Sequence, residues 1–190
     1  MMGEYRRMLG LGAVSLGLFA AAMSGGVQPT HAVGGVNDGT LAADWPEASR
    51  VQAQTMIEKY GKPNHHDDTS LTWFGLYGGK RTIVYRKEPN ERMIEQAVQY
   101  RVPARKVGDL KNFDARITIE RQASELSVRT DSIRTNFLIL NLAHEISSGF
   151  KSVAGARLMF TEQMRLEKDG KTSRYRDGLI FVTPKSPRKT

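Results

Sequence analysis

The stretch "GKPNHHDDTSLTWF", Gly61 to Phe74, sets His65, His66, Asp67 and Asp68 side by side. All four side chains are acceptable ligands for zinc or copper, and a loop can fold such residues inward. The spacing argues the other way. Neighbours on an extended chain diverge, and the strong metal signals are separated ligands, such as histidines at i and i+4 of a helix. The stretch therefore reads as a polar connector between a helix and a strand. A divalent transition metal on His65, His66 and Asp68 is the alternative, and otherwise no cofactor is expected. His144 and Glu145 begin "HEISS", but a zinc protease needs a second histidine at position 148, where the chain has Ser148. His144 falls four residues after Leu140 and seven after Phe137, which places it on or beside the buried stripe of a helix. Asn136 and Asn141 on the same helix read as buried amides bonded to nearby backbone.

Other enzyme classes leave little trace. The chain has no Gly-x-Ser-x-Gly turn, no phosphate-binding glycine loop, no dinucleotide fingerprint and no cysteine nucleophile. Carboxylates such as Glu120 and Glu125 are available, yet glycoside chemistry depends on a separation that a sequence does not display. A hydrolase assembled from distant residues stays open as an alternative to a non-catalytic protein. The basic residues suggest a different activity. Arg116, Arg121 and Arg129 fall with Glu120 on or beside the polar side of one predicted hairpin, and Arg81 and Arg86 join them if two hairpins share a sheet. Arginine forks suit carboxylates and phosphates, so this surface is expected to dock an acidic envelope protein or a lipid head group. An ordinary solvated sheet face is the competing reading.

These side chains must be positioned by the elements around them. "DWPEASRVQAQTMIEKYG" predicts a helix opened by a capping-box-like Asp44 and Glu47 and closed by Gly61 and Pro63, with Val51, Ile57 and Tyr60 on its apolar face. "SLTWFGLY" and "KRTIVYRK" alternate as strands joined across Gly78 and Gly79, a hairpin. "NERMIEQAVQYRV" predicts a second helix, with Asn90 as cap and Ile94, Ala97 and Val98 as a stripe. "RITIERQASELSVRT" predicts a second hairpin, in which Ile117, Ile119, Leu126 and Val128 share one face. Two helices follow. One starts after Asp131 and ends at Gly149, apolar nearly all round; the other is capped by Ser152 and carries Val153, Ala156, Phe160 and Met164. Leu179 to Val182 add a strand or dock on the core. The expected fold is α+β: a small antiparallel sheet from two hairpins with helices on one face and two C-terminal helices.

The helix ending in "KYGKP", followed by "TWF" and a second strand, resembles the helix and aromatic-strand element of the SmpA/OmlA class of outer-membrane-protein assembly lipoproteins. Gly61, Pro63, Thr72, Trp73 and Phe74 carry the resemblance, which covers about residues 51–86. The chain lacks that family's lipidated cysteine and carries two further long helices. The resemblance implies an envelope scaffold or assembly role.

The N-terminus supports the same compartment. Arg6 and Arg7 precede the uncharged run "MLGLGAVSLGLFAAAM", and "THA" ends at Ala32. This is the pattern of a removable signal peptide over residues 1–32, and the apolar run falls short of the roughly 20 residues that span a bilayer core. An uncleaved N-terminal anchor is the alternative. Without residues 1–32, the 190-residue chain keeps 158 residues and, having lost Glu4, Arg6 and Arg7, about +7 of its net +8. That length suits one domain. A flexible leader is expected over 33–43, the domain over 44–183 and a basic tail over 184–190. The charge favours acidic partners in a periplasmic or secreted setting, with peripheral membrane contact as one form, rather than nucleic acid.

Overall fold

The structure is a computed structural model that describes residues 41–87 and 92–183. The expected signal peptide, most of the leader and the basic tail lie outside the described residues. All the described residues belong to one unit. It is an α+β fold, a six-stranded antiparallel sheet with helices packed on one side.

The first helix, α1 (Glu47–Tyr60), closes on Gly61, whose φ of 75° is the left-handed conformation glycine tolerates. Asp44 does not cap it. Pro46 stands at the cap position, and the Asp44 carboxylate instead meets Arg86 at 2.7 Å. The buried face of α1 is Ser49, Ala53 and Met56, whereas Val51 is exposed. Leu41 and Ala42, expected at the end of a flexible leader, pack with Trp45 against this helix and the sheet, so the packed unit starts earlier than residue 44.

Strands β1 (His65–His66), β2 (Ser70–Phe74) and β3 (Arg81–Tyr85) run antiparallel in sequence order. The β2–β3 hairpin is the expected one. The next element is not. The stretch expected as a second helix forms strand β4 (Ile94–Gln99) in the middle of the sheet. Ile94, Ala97 and Val98 fit helical spacing, but the stretch pairs with β3 on one side and with a later strand on the other, and burial on both faces replaces local preference. Beyond β4 the chain passes through a 3-10 turn and α2 (Val107–Phe113) to the far edge, strand β5 (Ile117–Glu120). Strand β6 (Glu125–Thr130) then returns between β5 and β4, giving the order β1-β2-β3-β4-β6-β5. Ile117 faces Val128 and Ile119 faces Leu126, as the alternation of this hairpin predicts.

Helix α3 (Ile133–Ser148) buries Phe137 to Ala143 without a break and ends on Gly149 at φ 81°. Ser132, rather than Asp131, occupies its N-cap position. Helix α4 (Val153–Lys168) is capped by the Ser152 hydroxyl, which accepts from Gly155 N at 3.1 Å. A one-turn helix α5 (Arg174–Asp177) follows, and Leu179 and Phe181 dock on the core rather than adding a strand. Asn141 ties this segment down from within α3. Its Nδ2 donates to the carbonyls of Tyr175 and Gly178, and its Oδ1 accepts from Ile180 N. Asn136 donates to the Ile94 carbonyl and accepts from the Thr130 hydroxyl. Both are buried amides that hold backbone, as their position in an apolar helix predicts.

Two apolar clusters form the core. Leu71, Trp73, Val84 and Ile94 meet α1, and Val98, Leu126 and Val128 meet α3. All seven belong to the same side of the sheet by register. The opposite side carries most of the polar residues of the strands, while Thr82, Gln96 and Thr130 lie on the helix side.

Candidate functional site on the open sheet face

Register alone determines which side chains share the open face. Directly opposed residues of antiparallel strands point the same way. Arg81 opposes Ala97, which opposes Ser127; Ile83 opposes Glu95, which opposes Arg129. Tyr85 and Glu125 lie on the same side at the strand ends. The strand that was expected as a helix therefore supplies the centre of the site.

Glu95 is its hub. One carboxylate oxygen accepts from Arg81 Nη2 at 3.1 Å; the other accepts from Arg129 Nη2 at 3.1 Å and from the Tyr85 hydroxyl at 3.0 Å. Arg81 reaches across β4 with its second nitrogen, Nη1, to Glu125 at 2.6 Å, and Lys80 Nζ meets Glu125 at 2.7 Å. The Arg129 guanidinium lies 3.6 Å from the centre of the Tyr85 ring, a cation–π contact. Small residues between these side chains let them lie flat: Ala97 is fully buried beneath them, and Thr72 and Ser127 nearly so. Burial pushes the Glu125 carboxyl up, but Lys80 and Arg81 outweigh it and hold the group below its ordinary range. Burial, followed by the Glu95 carboxylate, pushes the Tyr85 hydroxyl up to about 12.

The Tyr85 shift has a testable consequence. In the unfolded chain the phenol ionises near its ordinary value of 10, while in the folded chain it keeps its proton to about 12. The unfolded state therefore releases the proton first, and stability present below pH 10 is lost as the pH rises through that interval. Tyr85→Phe is expected to flatten the fall in stability between pH 10 and 12, measured by denaturant unfolding across that range. Tyr175, whose hydroxyl donates to Glu145 at 2.7 Å, is also raised to about 12 and supplies the remaining slope.

The other expected site residues are dispersed. Arg86 lies beyond the end of β3 and bonds Asp44 and the carbonyl of Asp68. Arg116 is not on the open face. It folds back on Asp114 through two hydrogen bonds of 3.0 and 2.7 Å, with its guanidinium 5.6 Å from the Phe160 ring of α4. Position 116 precedes β5 in a turn, so strand alternation does not govern it. Arg121 stands in the β5–β6 turn, at the rim of an open concavity of about 800 Å3 shared with Tyr100, Arg101 and Glu120. The fold brings Arg81 and Arg129 together on Glu95 and separates Arg86, Arg116 and Arg121 from them; sequence reasoning gave no role on this face to Glu95, Tyr85 or Lys80, and weighed Glu125 only as a carboxylate for glycoside chemistry. The signal for Glu95 was a carboxylate inside a run that reads as a strand once its partners are known.

The histidine pair sits on the edge strand. His65 and His66 form β1 rather than a loop, opposite Thr72 and Leu71, so their side chains leave on opposite faces. Asp67 is a turn former. Its Oδ1 accepts from the Thr69 hydroxyl, the Thr69 amide and the Ser70 amide, all within 2.8 Å, and these bonds hold the carboxyl below its ordinary range. Asp68 is exposed. Among the described residues, no three histidine, aspartate or glutamate side chains gather in a metal-binding arrangement. His144 lies at the core edge, stacked on Phe181 at 4.4 Å and within 3.0 Å of the Tyr100 hydroxyl. Burial holds it below its ordinary value, against the pull of Glu145.

In comparisons with known proteins, the chain matches no protein family, no characterised protein and no solved structure. The geometry of the site is therefore the ground for a functional reading.

Proposed function

We propose that this chain is an exported, non-catalytic accessory protein that docks on another component of the cell envelope through the open face of its sheet. Export is supported by the charged start, apolar run and Ala32 site at the N-terminus. No described helix is long and apolar enough to cross a membrane.

The observation that carries docking is the ion-paired lattice of Arg81, Glu95, Arg129 and Glu125. It spans three strands and keeps five charged or phenolic side chains flat on one face. Its arginines are committed to carboxylates, so they give rigidity and register more than free positive charge. Ordering these side chains in advance lowers the entropy that a partner must supply. Phe74, exposed at the end of β2, and the half-buried Ile83 add apolar area to the same face. The partner that fits is a protein surface with an apolar patch and an acidic rim, on the strength of the chain's net charge of +8; on the face itself Lys80, Arg81 and Arg129 are balanced by Glu95, Glu125 and Glu120.

Reversing Arg116 or Arg129 is a poor test, because each holds a carboxylate within the fold. Phe74 and Thr118 are exposed on the open face and stand outside the lattice. Phe74→Asp combined with Thr118→Glu is expected to cut recovery of an acidic envelope protein by about tenfold, with unchanged thermal unfolding. Leu158→Asp on α4 is the matched control and is expected to have no effect. Unchanged recovery with the face variant contradicts the proposal, and so does selective sedimentation with anionic lipid vesicles in place of a protein.

A further inference from the structure

Strand β5 closes one end of the sheet, with β6 on one side and no strand on the other among the described residues. The direction of its backbone groups follows from the ladder. Tyr100 N donates to the Ser124 carbonyl at 2.7 Å, so Ser124 turns towards β4. Backbone groups alternate in direction along an antiparallel strand, so Leu126 and Val128 also turn to β4, while Glu125 and Ser127 turn to β5. Their partners, Glu120 and Thr118, are then the residues of β5 that bond inward. Ile119, between them, turns both its N–H and its C=O to the outer edge. Ile117 does the same, but its N–H is already spent on the Asp114 carbonyl at 3.3 Å.

An open edge of this kind is a template for a further strand, and proteins commonly blunt it with proline, a bulge or extreme shortness. The opposite edge, β1, is only two residues long. Strand β5 is four residues long, continuous in register and without proline.

At its end lies the concavity of about 800 Å3, between the β5–β6 turn and residues 100–104. Much of its wall is apolar, from Tyr100, Val102, Pro103 and Ile119. Arg101 and Arg121 also line it, both exposed and neither in an ion pair among the described residues. Glu120 is the one carboxylate of the lining, so the arginines outnumber it two to one. Unpaired guanidinium forks at an apolar opening suit carboxylates carried on an apolar chain. Directly opposed residues share a face, so a residue paired with Ile119 sends its side chain to the helix side, towards this concavity.

We propose that the outer edge of β5 and the concavity at its end form one docking groove for an extended acidic segment of a partner protein. The segment adds as a seventh strand through the Ile119 N–H and C=O and the Ile117 C=O, seats an apolar side chain against Ile119 and Pro103, and carries its carboxylates past the strand end to Arg101 and Arg121. The groove belongs to the edge of the sheet, not its open face, and does not rest on the docking reading above.

Titrating the purified, isotope-labelled protein with two blocked octapeptides, followed by amide NMR, tests the proposal. Each contains five residues alternating valine and threonine; three glutamates precede them in one peptide and follow them in the other, because an edge accepts a strand in either direction. Saturable shifts are expected from one of the two, at the amides of Thr118, Ile119 and Glu120 and at Arg101 and Arg121. Replacing its glutamates by lysines, or N-methylating its five-residue stretch so that the amide donors are lost, is expected to weaken binding at least about tenfold. Arg101→Gln combined with Arg121→Gln is expected to weaken it about fivefold, two exposed ion pairs' worth, without unfolding the protein, since both side chains are exposed and unpaired. Phe74→Asp on the open face is expected to leave it unchanged. Absence of saturable shifts from both peptides, equal binding of the lysine or N-methylated form, or an equal loss with Phe74→Asp would each overturn the proposal.

Discussion

Glu95→Ala is expected to lower the free energy of unfolding by about 2–3 kcal/mol, below the usual 3–5 for breaking a buried ion pair because Arg81 and Arg129 keep part of their surface in water. The carboxylate accepts three hydrogen bonds, from Arg81, Arg129 and Tyr85, and its side chain is 12% exposed. Removing it leaves two half-buried guanidinium groups facing each other across β4 with less acceptor capacity between them. The cost should fall mainly on the pair left behind. Glu95→Leu combined with Arg129→Met is therefore expected to be less destabilising than Glu95→Ala alone, since no charge is then left without its partner. Urea unfolding followed by circular dichroism measures both, with an unchanged denaturant slope as the sign that the fold is the same. If Glu95→Ala proves neutral, the lattice is a loose surface network and not a rigid platform.

Trp73→Ala is expected to be costlier still, at about 3–5 kcal/mol, the range for emptying a large aromatic site from a core. Trp73 is 2% exposed in the cluster beneath α1, and its indole Nε1 donates to the Gly61 carbonyl at 2.9 Å. That bond holds the helix exit against β2, so the substitution removes both packing and a tether. Trp73→Phe separates the two effects. It keeps most of the apolar area and loses the donor, and an expected cost of about 1–2 kcal/mol reflects the Gly61 carbonyl left without its partner. The same unfolding experiment decides: a small loss for Trp73→Ala would mean that α1 contributes little to the folded state.

The elements that could be read from the sequence were those whose signals are local. Gly61 and Gly149 stop α1 and α3 because each takes a left-handed conformation, and Ser152 caps α4 with its own hydroxyl. The β5–β6 hairpin alternates cleanly because one of its faces is core. Strand β4 was illegible because both of its faces are covered, one by the helices and the other by the arginine lattice, so its pattern loses the alternation of a half-exposed strand. That misreading hid Glu95, and with it the reason Arg81 and Arg129 lie together. Arg116 and Arg121 were misplaced for a related reason. Both sit in turns, where a period of two no longer tells which way a side chain points.

The central claim, that the open face of the sheet is where this protein meets its partner, is tested most directly by photo-crosslinking in the native cells. A photoreactive residue is placed at Phe74 on the open face and, separately, at Leu158 on α4, both well exposed. The account predicts one dominant crosslinked envelope protein from position 74, with an acidic surface at the site of attachment, and no such product from position 158. Capture from position 158 with none from position 74 would contradict it and place the contact on the helix side instead.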